Sequence, residues 1–259
     1  MSKWFDRYNR NKKTLSEGHL YRNQDEHDAC GVGFVASIDG KPRRKVVEGG
    51  IDALKAVWHR GAVDADGKTG DGCGLLTQIP EGFFDDEIAK TGHEKKDSKL
   101  GVGMIFLPRN DYAALEKCRT IIESELLDHG YYIYGWRQVP IDNSVIGEKA
   151  NLTRPEIEQV LFANNIDRTK DFDYSKQLYL VRRRIEKRIQ RQQISDFYIC
   201  SMSFDVIIYK GLFLAEELST FYPDLMNDNY VSAYSIFHQR YSTNTFPSWG
   251  LAQPFRMLA

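Results

Sequence analysis

The spacing of short apolar segments is the feature that most restricts the fold of this 259-residue chain. Short runs rich in β-branched and aromatic side chains indicate strands, whereas apolar residues that recur every three or four positions indicate helices. The predicted strands are 32–38, 74–79, 102–107, 131–139, 177–181, 197–203, 206–209 and 233–238. Helices are predicted at 51–59, 112–127, 183–193 and from Thr153 onward, with Thr153 as N-cap and Pro155 in the first turn. Because the helices enter irregularly, without βαβ alternation, the pattern favours an α+β fold with layered antiparallel sheets.

Composition narrows the class of protein. The formal net charge of -1 gives no general attraction to nucleic acid or to an anionic membrane, and no run approaches the length of about 18 apolar residues that spans a bilayer. The four cysteines are widely spaced and the first residues lack the apolar core of a secretion signal, which predicts a reducing, cytoplasmic location with free thiols. No linker rich in proline or glycine divides the chain after Cys30, so a single domain is expected there.

Cys30 lies at a sharp change in the character of the sequence. Residues 1–29 are mostly polar and charged and predict a flexible, solvated leader, whereas 31–38 predict a buried strand. If the leader is removed, Cys30 becomes the mature N-terminus and carries a thiol and an α-amine on one residue, which suffices for acyl transfer. Taken alone, Cys30 is better explained as an ordinary half-buried structural cysteine.

Three further segments contain residue types that suggest a binding site. His59-Arg60-Gly61-Ala62 follows a predicted helix, and Thr69-Gly70-Asp71-Gly72-Cys73-Gly74 has glycine at every second position before a strand. Arg240 follows the last predicted strand and precedes a cluster of hydroxyl and amide side chains that includes Thr243 and Asn244. An arginine binds a carboxylate with two hydrogen bonds, although a helix C-cap at Gly61 and an internally bonded turn after Arg240 explain the same residues.

Other motifs do not have the context that their function requires. The Gly31-Val32-Gly33 segment precedes a strand, whereas a dinucleotide-binding fingerprint follows one and opens a helix. Gly67-Lys68-Thr69 lacks the spacing of a P-loop. The basic run 182–191 has apolar residues at helical spacing, which favours a solvated helix face over a nucleic-acid site.

Together these segments resemble the class II glutamine amidotransferases, and in particular the glutaminase domain of the glutamate synthase large subunit. Motifs that carry the resemblance, over nearly all of 25–259, are Asp28-Ala29-Cys30-Gly31-Val32-Gly33-Phe34, Trp58-His59-Arg60-Gly61-Ala62, Asp66-Gly67-Lys68-Thr69-Gly70-Asp71-Gly72-Cys73-Gly74 and His238-Gln239-Arg240-Tyr241-Ser242-Thr243-Asn244-Thr245-Phe246-Pro247-Ser248-Trp249. The resemblance implies an N-terminal-nucleophile hydrolase, that is, a four-layer αββα sandwich of two antiparallel sheets. It also implies a cleavable propeptide at 1–29 and an amidotransferase domain at 30–259.

The resemblance implies a role for each matching position. Cys30 is the nucleophile that attacks the side-chain amide of glutamine and forms a γ-glutamyl thioester, and its α-amine, with an ordinary pKa near 8, moves the proton. Arg60 and Gly61 shape the pocket of the nucleophile. Arg240 pairs with the substrate α-carboxylate, and Thr243 and Asn244 line the site. In the family a His-Asn-Gly-Glu motif with the oxyanion donors follows the position of Ala259, so the domain is expected to be C-terminally incomplete and inactive alone.

The same resemblance implies the partners and cofactors of a longer enzyme. The released ammonia passes to synthase domains, which aminate 2-oxoglutarate reductively with FMN and an iron–sulfur cluster, and a small subunit with FAD and NADPH is a candidate partner. No cofactor or metal is expected in this segment, and no nucleic acid or membrane partner. NADPH, NADH and ferredoxin all remain open as electron donors. Two other functions remain open as well: another amidase with an N-terminal nucleophile, and an inactive interaction module.

Overall fold

The computed structural model describes residues 2–18, 31–164, 174–241 and 246–252. The chain divides into two compact units, Met1–Cys30 and Gly31–Ala259. In the first unit, helix α1 spans Ser2–Gly18, so the prediction of a flexible leader is wrong for these residues. No proline interrupts this helix, and a Lys13–Glu17 ion pair joins positions one turn apart. No helix among the described residues has the length and apolar character needed to cross a membrane.

Helices and strands alternate irregularly in the second unit. Its strands are β1 (Val32–Ala36), β2 (Cys73–Gln78), β3 (Leu100–Leu107), β4 (Tyr131–Gln138), β5 (Glu156–Asn164), β6 (Tyr198–Ser203), β7 (Val206–Gly211) and β8 (Tyr234–Gln239). Its helices are α2 (Arg44–Ala56), α3 (Glu81–Lys90), α4 (Tyr112–Asp128), α5 (Glu148–Leu152), α6 (Tyr174–Arg191) and α7 (Leu218–Phe221). Single 3₁₀ turns lie at Trp58–Arg60, Asn143–Val145, Ala215–Glu217, Pro223–Met226 and Trp249–Leu251.

The strands form two four-stranded sheets. One has the order β1-β8-β2-β7 and the other the order β4-β5-β3-β6, and every pairing is antiparallel. In the first sheet the last strand, β8, lies between β1 and β2, the first two strands of the chain. Two antiparallel sheets with helices confirm the predicted α+β class and agree with the sandwich of the N-terminal-nucleophile hydrolases.

Two hydrophobic cores hold these layers together. The larger core contains side chains from both sheets and from α2, including Leu54, Leu75, Met104, Tyr209 and Phe237. The smaller core lies between the β4-β5-β3-β6 sheet and helices α4 and α6. Burial of this apolar surface is the main favourable contribution to folding.

The helix predicted from Thr153 is wrong, because residues Glu156–Asn164 form strand β5. Thr153 and Pro155 resemble a helix start, but the Thr153 hydroxyl donates to the Lys149 carbonyl oxygen at 3.2 Å and thereby closes α5. The following residues are almost continuously buried between β4 and β3. Burial on both faces removes the alternating pattern that identifies a strand, so tertiary packing decides the conformation.

The strand predicted at 177–181 is also wrong, because these residues belong to helix α6. Its buried side chains are Leu178, Val181, Ile185 and Ile189, at helical spacing. Tyr179 and Leu180 are exposed. They made the segment look continuously apolar, which is the ambiguity expected of short apolar runs.

A buried polar network links the two sheets. Arg137 on β4 donates to both carboxylate oxygens of Asp224, at 2.7 Å each, and to Glu87 at 2.6 Å. The Tyr209 hydroxyl on β7 donates to Asp224 at 2.8 Å and accepts from Gln159 on β5 at 3.0 Å. Burial opposes the charged guanidinium, but hydrogen bonds and charge from Asp224 outweigh it and raise the pKa of Arg137. The network therefore fixes how β7 lies against β4 and β5.

We expect Asp224→Ala to lower the free energy of unfolding by about 3–5 kcal/mol, because it leaves the Arg137 charge buried with an incomplete set of partners. Urea unfolding followed by circular dichroism measures the change. Asp39→Ala is the matched control, since it removes a carboxylate that pairs with an arginine (Arg43) at the exposed surface. A similar loss in both variants would contradict the structural role of the network.

Candidate active site

The candidate site lies where β1 begins and β8 ends. The Gly31 carbonyl oxygen accepts a hydrogen bond from the Gln239 backbone N–H at 2.5 Å. A Cβ on Gly31 would lie 2.2 Å from the Gln239 carbonyl oxygen and 3.5 Å from the Cβ of Arg60, so only glycine fits this approach. The residue that follows Cys30 is thus tightly held between β8 and Arg60. Cys30, Thr243 and Asn244 lie outside the described residues.

Arg60 and Gly61 also lie close to the end of β8. Helix α2 ends at Ala56, and the 3₁₀ turn Trp58–Arg60 follows before the chain extends at Gly61. Gly61 is the C-cap of this 3₁₀ turn, and its N–H donates to the Trp58 carbonyl oxygen at 2.9 Å. Its φ is -100°, so a left-handed conformation is not what requires glycine here. Its small size matters instead, because a Cβ there would lie 1.9 Å from the side-chain nitrogen of Gln239.

Gln239 is therefore the residue around which the predicted site residues gather. It is 3% exposed, and its side-chain carbonyl oxygen is buried without a hydrogen-bond partner among the described residues. A buried amide oxygen needs a hydrogen-bond donor, and the described residues do not supply one. No role was predicted for Gln239 from the sequence, although it lies between His238 and Arg240 in one of the motifs that carry the family resemblance.

Arg240 is held by the glycine-rich loop. Its backbone N–H donates to the Gly72 carbonyl oxygen at 2.8 Å. Gly72 has a φ of +118°, and a Cβ there would lie 2.6 Å from the Cα of Ala252. Gly72 is thus enclosed between Arg240 and Ala252, which explains one of the alternating glycines.

Two side chains that can carry a positive charge lie at the end of β8, those of His238 and Arg240. His238 is 6% exposed, and burial followed by the charge of Arg240 lowers its pKa to about 4, so it is neutral near pH 7. Gly61 lies against the Gln239 side chain, the Cβ of Arg60 lies beside Gly31, and Arg240 directly follows Gln239. An arginine guanidinium is suited to a ligand that carries a carboxylate.

The described cysteines are poorly suited to nucleophilic attack. Cys73, Cys118 and Cys200 are free and buried. Burial raises the pKa of Cys118 to about 11 and that of Cys200 to about 12, and it raises the pKa of Cys73 even further. Because the thiolate is the reactive form, these three thiols are inert near neutral pH.

Among the described residues, no group of three or more His, Cys, Asp or Glu side chains has a geometry that could hold a metal ion.

Comparison with known proteins identifies the family. The family model described as "Glutamine amidotransferases class-II" matches residues 30–259. The NADPH glutamate synthase large chain of Azospirillum brasilense is 61% identical over 249 residues, which cover 96% of this chain and 16% of that protein. A chloroplastic ferredoxin-dependent glutamate synthase of Arabidopsis thaliana is 41% identical over 235 residues, covering 90% of this chain and 14% of the relative. This chain therefore spans about one-sixth of the length of these relatives.

We expect Gly72→Ala to lower the free energy of unfolding by about 1–3 kcal/mol, because alanine is strained at this positive φ. It should also displace Ala252, which its Cβ would strike. Gly82→Ala is the control, since Gly82 lies in α3 with open space around it and no positive φ. Urea unfolding of both variants tests the role of the loop, and an equally stable Gly72→Ala protein would contradict it.

Proposed function

The chain belongs to the class II glutamine amidotransferases, and we propose that it is the glutaminase part of a glutamate synthase. In this proposal glutamine is hydrolysed to glutamate and ammonia. The observation that carries the proposal is the convergence of Gly31, Arg60, Gly61 and Arg240 at the end of β8, next to the position from which the proposed nucleophile extends. The identity to NADPH and ferredoxin-dependent glutamate synthases supports the choice within the family.

The proposed reaction has two chemical steps. The Cys30 sulfur attacks the side-chain amide carbon of glutamine, and the C–N bond breaks to release ammonia. The proton lost by the thiol passes through the α-amine to the leaving nitrogen, and a γ-glutamyl thioester remains. Water then attacks the thioester carbon, the C–S bond breaks, and glutamate leaves with the thiol restored.

The proposal requires that Cys30 be the N-terminal residue. A nitrogen in a peptide bond is not basic, so only a free α-amine can accept the proton. We therefore propose that 1–29 is a propeptide and that 30–259 is amidotransferase domain. The start of the family match at residue 30 supports this division.

Substrate recognition is assigned to residues around β8. Arg240 binds the α-carboxylate of glutamine, and Arg60 and Gly61 shape the pocket of the nucleophile. Thr243 and Asn244 line the pocket by analogy with the family. The buried amide oxygen of Gln239, which has no hydrogen-bond partner among the described residues, supports a pocket in this region that is completed by donors on the substrate.

We further propose that the ammonia is used elsewhere in a longer protein. Synthase domains with FMN and an iron–sulfur cluster would aminate 2-oxoglutarate, and a small subunit with FAD and NADPH would supply electrons. The small share of each relative that this chain covers supports a division of labour within one long polypeptide. A cytoplasmic location fits the free, widely spaced cysteines.

Labelling with a glutamine-analogue electrophile tests the nucleophile. We expect a single covalent adduct on Cys30 in the full-length protein, because the thiols of Cys73, Cys118 and Cys200 are buried and protonated. Intact mass and peptide mapping locate the adduct, and N-terminal sequencing shows whether the chain starts at Cys30. Cys200→Ala is the matched control and should label normally, whereas labelling that persists in Cys30→Ala would refute the assignment.

Steady-state kinetics test the assignment of Arg240 to the α-carboxylate of glutamine. We expect Arg240→Met to raise KM for glutamine about 10- to 100-fold, since hydrogen bonds to charged groups contribute about 1.5–3 kcal/mol. Arg240→Lys should recover only part of the affinity, because lysine cannot form the two parallel hydrogen bonds. Arg183→Met, on the exposed face of α6, is the control. Unchanged KM in Arg240→Met would favour another amidase of the same mechanistic type.

A further inference from the structure

Strand register brings two arginines together at one end of the β4-β5-β3-β6 sheet. Leu107, the last residue of β3, is paired with Glu156, the first residue of β5. Arg109 lies two residues after Leu107 in the chain. Arg154 lies two residues before Glu156, so the two arginines take opposite positions just beyond the paired residues. Like charges at opposite positions of an antiparallel pair are destabilising, and an anion between them removes that cost.

Hydrogen bonds show that the two guanidinium groups are close together. A nitrogen of Arg109 and a nitrogen of Arg154 contact the same side-chain oxygen of Asn151, each at 3.4 Å. The two nitrogens are therefore separated by no more than twice that distance. Arg154 also donates to the Pro155 carbonyl oxygen at 3.2 Å. Within the described residues these long contacts engage only a few of the five N–H donors that each guanidinium carries.

No carboxylate of the described residues forms an ion pair with either arginine. Burial, followed by the charge of Arg109, lowers the pKa of Arg154, and the charge of Glu156 offsets only part of this effect. Glu156 accepts a hydrogen bond from the side-chain amide of Gln138 at 2.6 Å. The repulsion between the two guanidinium groups is therefore not balanced by their surroundings.

Both arginines line a cavity of about 590 Å³. Ser195 and Asp196, which precede β6, line it from another side. Aromatic residues contribute as well, because Phe106, Tyr198 and Trp249 all belong to the lining. The Phe106 ring lies 5.8 Å from that of Trp249 and 6.3 Å from that of Tyr198, measured between ring centres. A cavity of this volume, with apolar walls and a few charged groups, is typical of sites for small organic ligands.

The cavity differs from the candidate active site in its residues. Among the described residues, none of those that gather at the end of β8 lines it. Its charged lining residues are Arg109, Arg154 and Asp196, so the positive charge exceeds the negative. A ligand that fits these groups carries an anionic group for the arginines and an apolar part for the aromatic residues.

We propose that this cavity is a second binding site, which takes a small organic anion with a phosphate or carboxylate group and an aromatic part. The oxyanion lies between Arg109 and Arg154, whose planar guanidinium groups suit phosphate and carboxylate equally. The aromatic part lies against Phe106, Tyr198 and Trp249. This inference does not rest on the proposed function, because it uses neither Cys30 nor glutamine.

Arginine modification in the full-length protein tests whether the cavity is open and binds an anion. Phenylglyoxal reacts with accessible guanidinium groups, and peptide mapping locates the adducts. We expect Arg109 and Arg154 to react in ligand-free protein and to be protected by phenyl phosphate or by benzoate, which separate a phosphate site from a carboxylate site. Benzamide has the ring without the charge and should not protect. Arg191, exposed at the end of α6, should react equally in all samples.

Calorimetric titration with the protecting anion measures the contribution of each arginine. Arg109→Met and Arg154→Met should each weaken binding about 10- to 100-fold, because each removes hydrogen bonds to a charged group. Arg154→Lys should recover only part of the affinity. Neither methionine variant should lower the Tm of the ligand-free protein, since each removes a repulsive contact. Arg191→Met is the matched control and should bind as the wild type does.

Each outcome decides the inference. If phenylglyoxal does not reach Arg109 and Arg154 in the ligand-free full-length protein, another part of the polypeptide covers the cavity and the second site is refuted. It is also refuted if neither anion protects, or if both methionine variants bind as tightly as the wild type. If glutamine protects as well as the anions do, the cavity belongs to the glutamine pocket and is not a second site.

Discussion

The pairing of β8 with β1 and β2 is the contact on which the candidate site depends. It places the last described strand between the first two, so the start of β1 and the end of β8 meet. The Gly31–Gln239 hydrogen bond then brings Gly31 beside Arg60, and the next residue, Arg240, is fixed by the glycine-rich loop. The register of these strands therefore positions groups that are far apart in the sequence. A shift of one residue would move every side chain of β8 to the opposite face of the sheet.

Local patterns predicted much of this arrangement. Strands β1, β2, β3, β4, β6, β7 and β8 lie close to the predicted segments, because each combines β-branched or aromatic side chains with turn residues at its ends. Strand β5 and the first turns of α6 were assigned the opposite conformation. In both cases the chain is apolar over a short run, and only its neighbours in the fold decide between the two structures.

Part of the candidate site could be proposed from residue type alone. Arg60, Gly61 and Arg240 are unusual choices in their local context, and they do gather at one place. Gln239 and the pair of Arg109 and Arg154 were missed for a physical reason: their importance comes from what the fold places next to them. An amide packed on a glycine, and two arginines brought together by strand register, have no signature in the sequence.

The order of the strands has a consequence for the timing of biosynthesis. Val32 pairs with His238, so roughly 200 residues must leave the ribosome before β1 acquires its partner in the sheet. At a synthesis rate of about 5–20 residues per second, this delay lasts on the order of 10–40 s. During that interval the start of β1 has no β8 to hold it. Any maturation event that needs the environment of Gly31 is therefore postponed until nearly the whole of this chain has been translated.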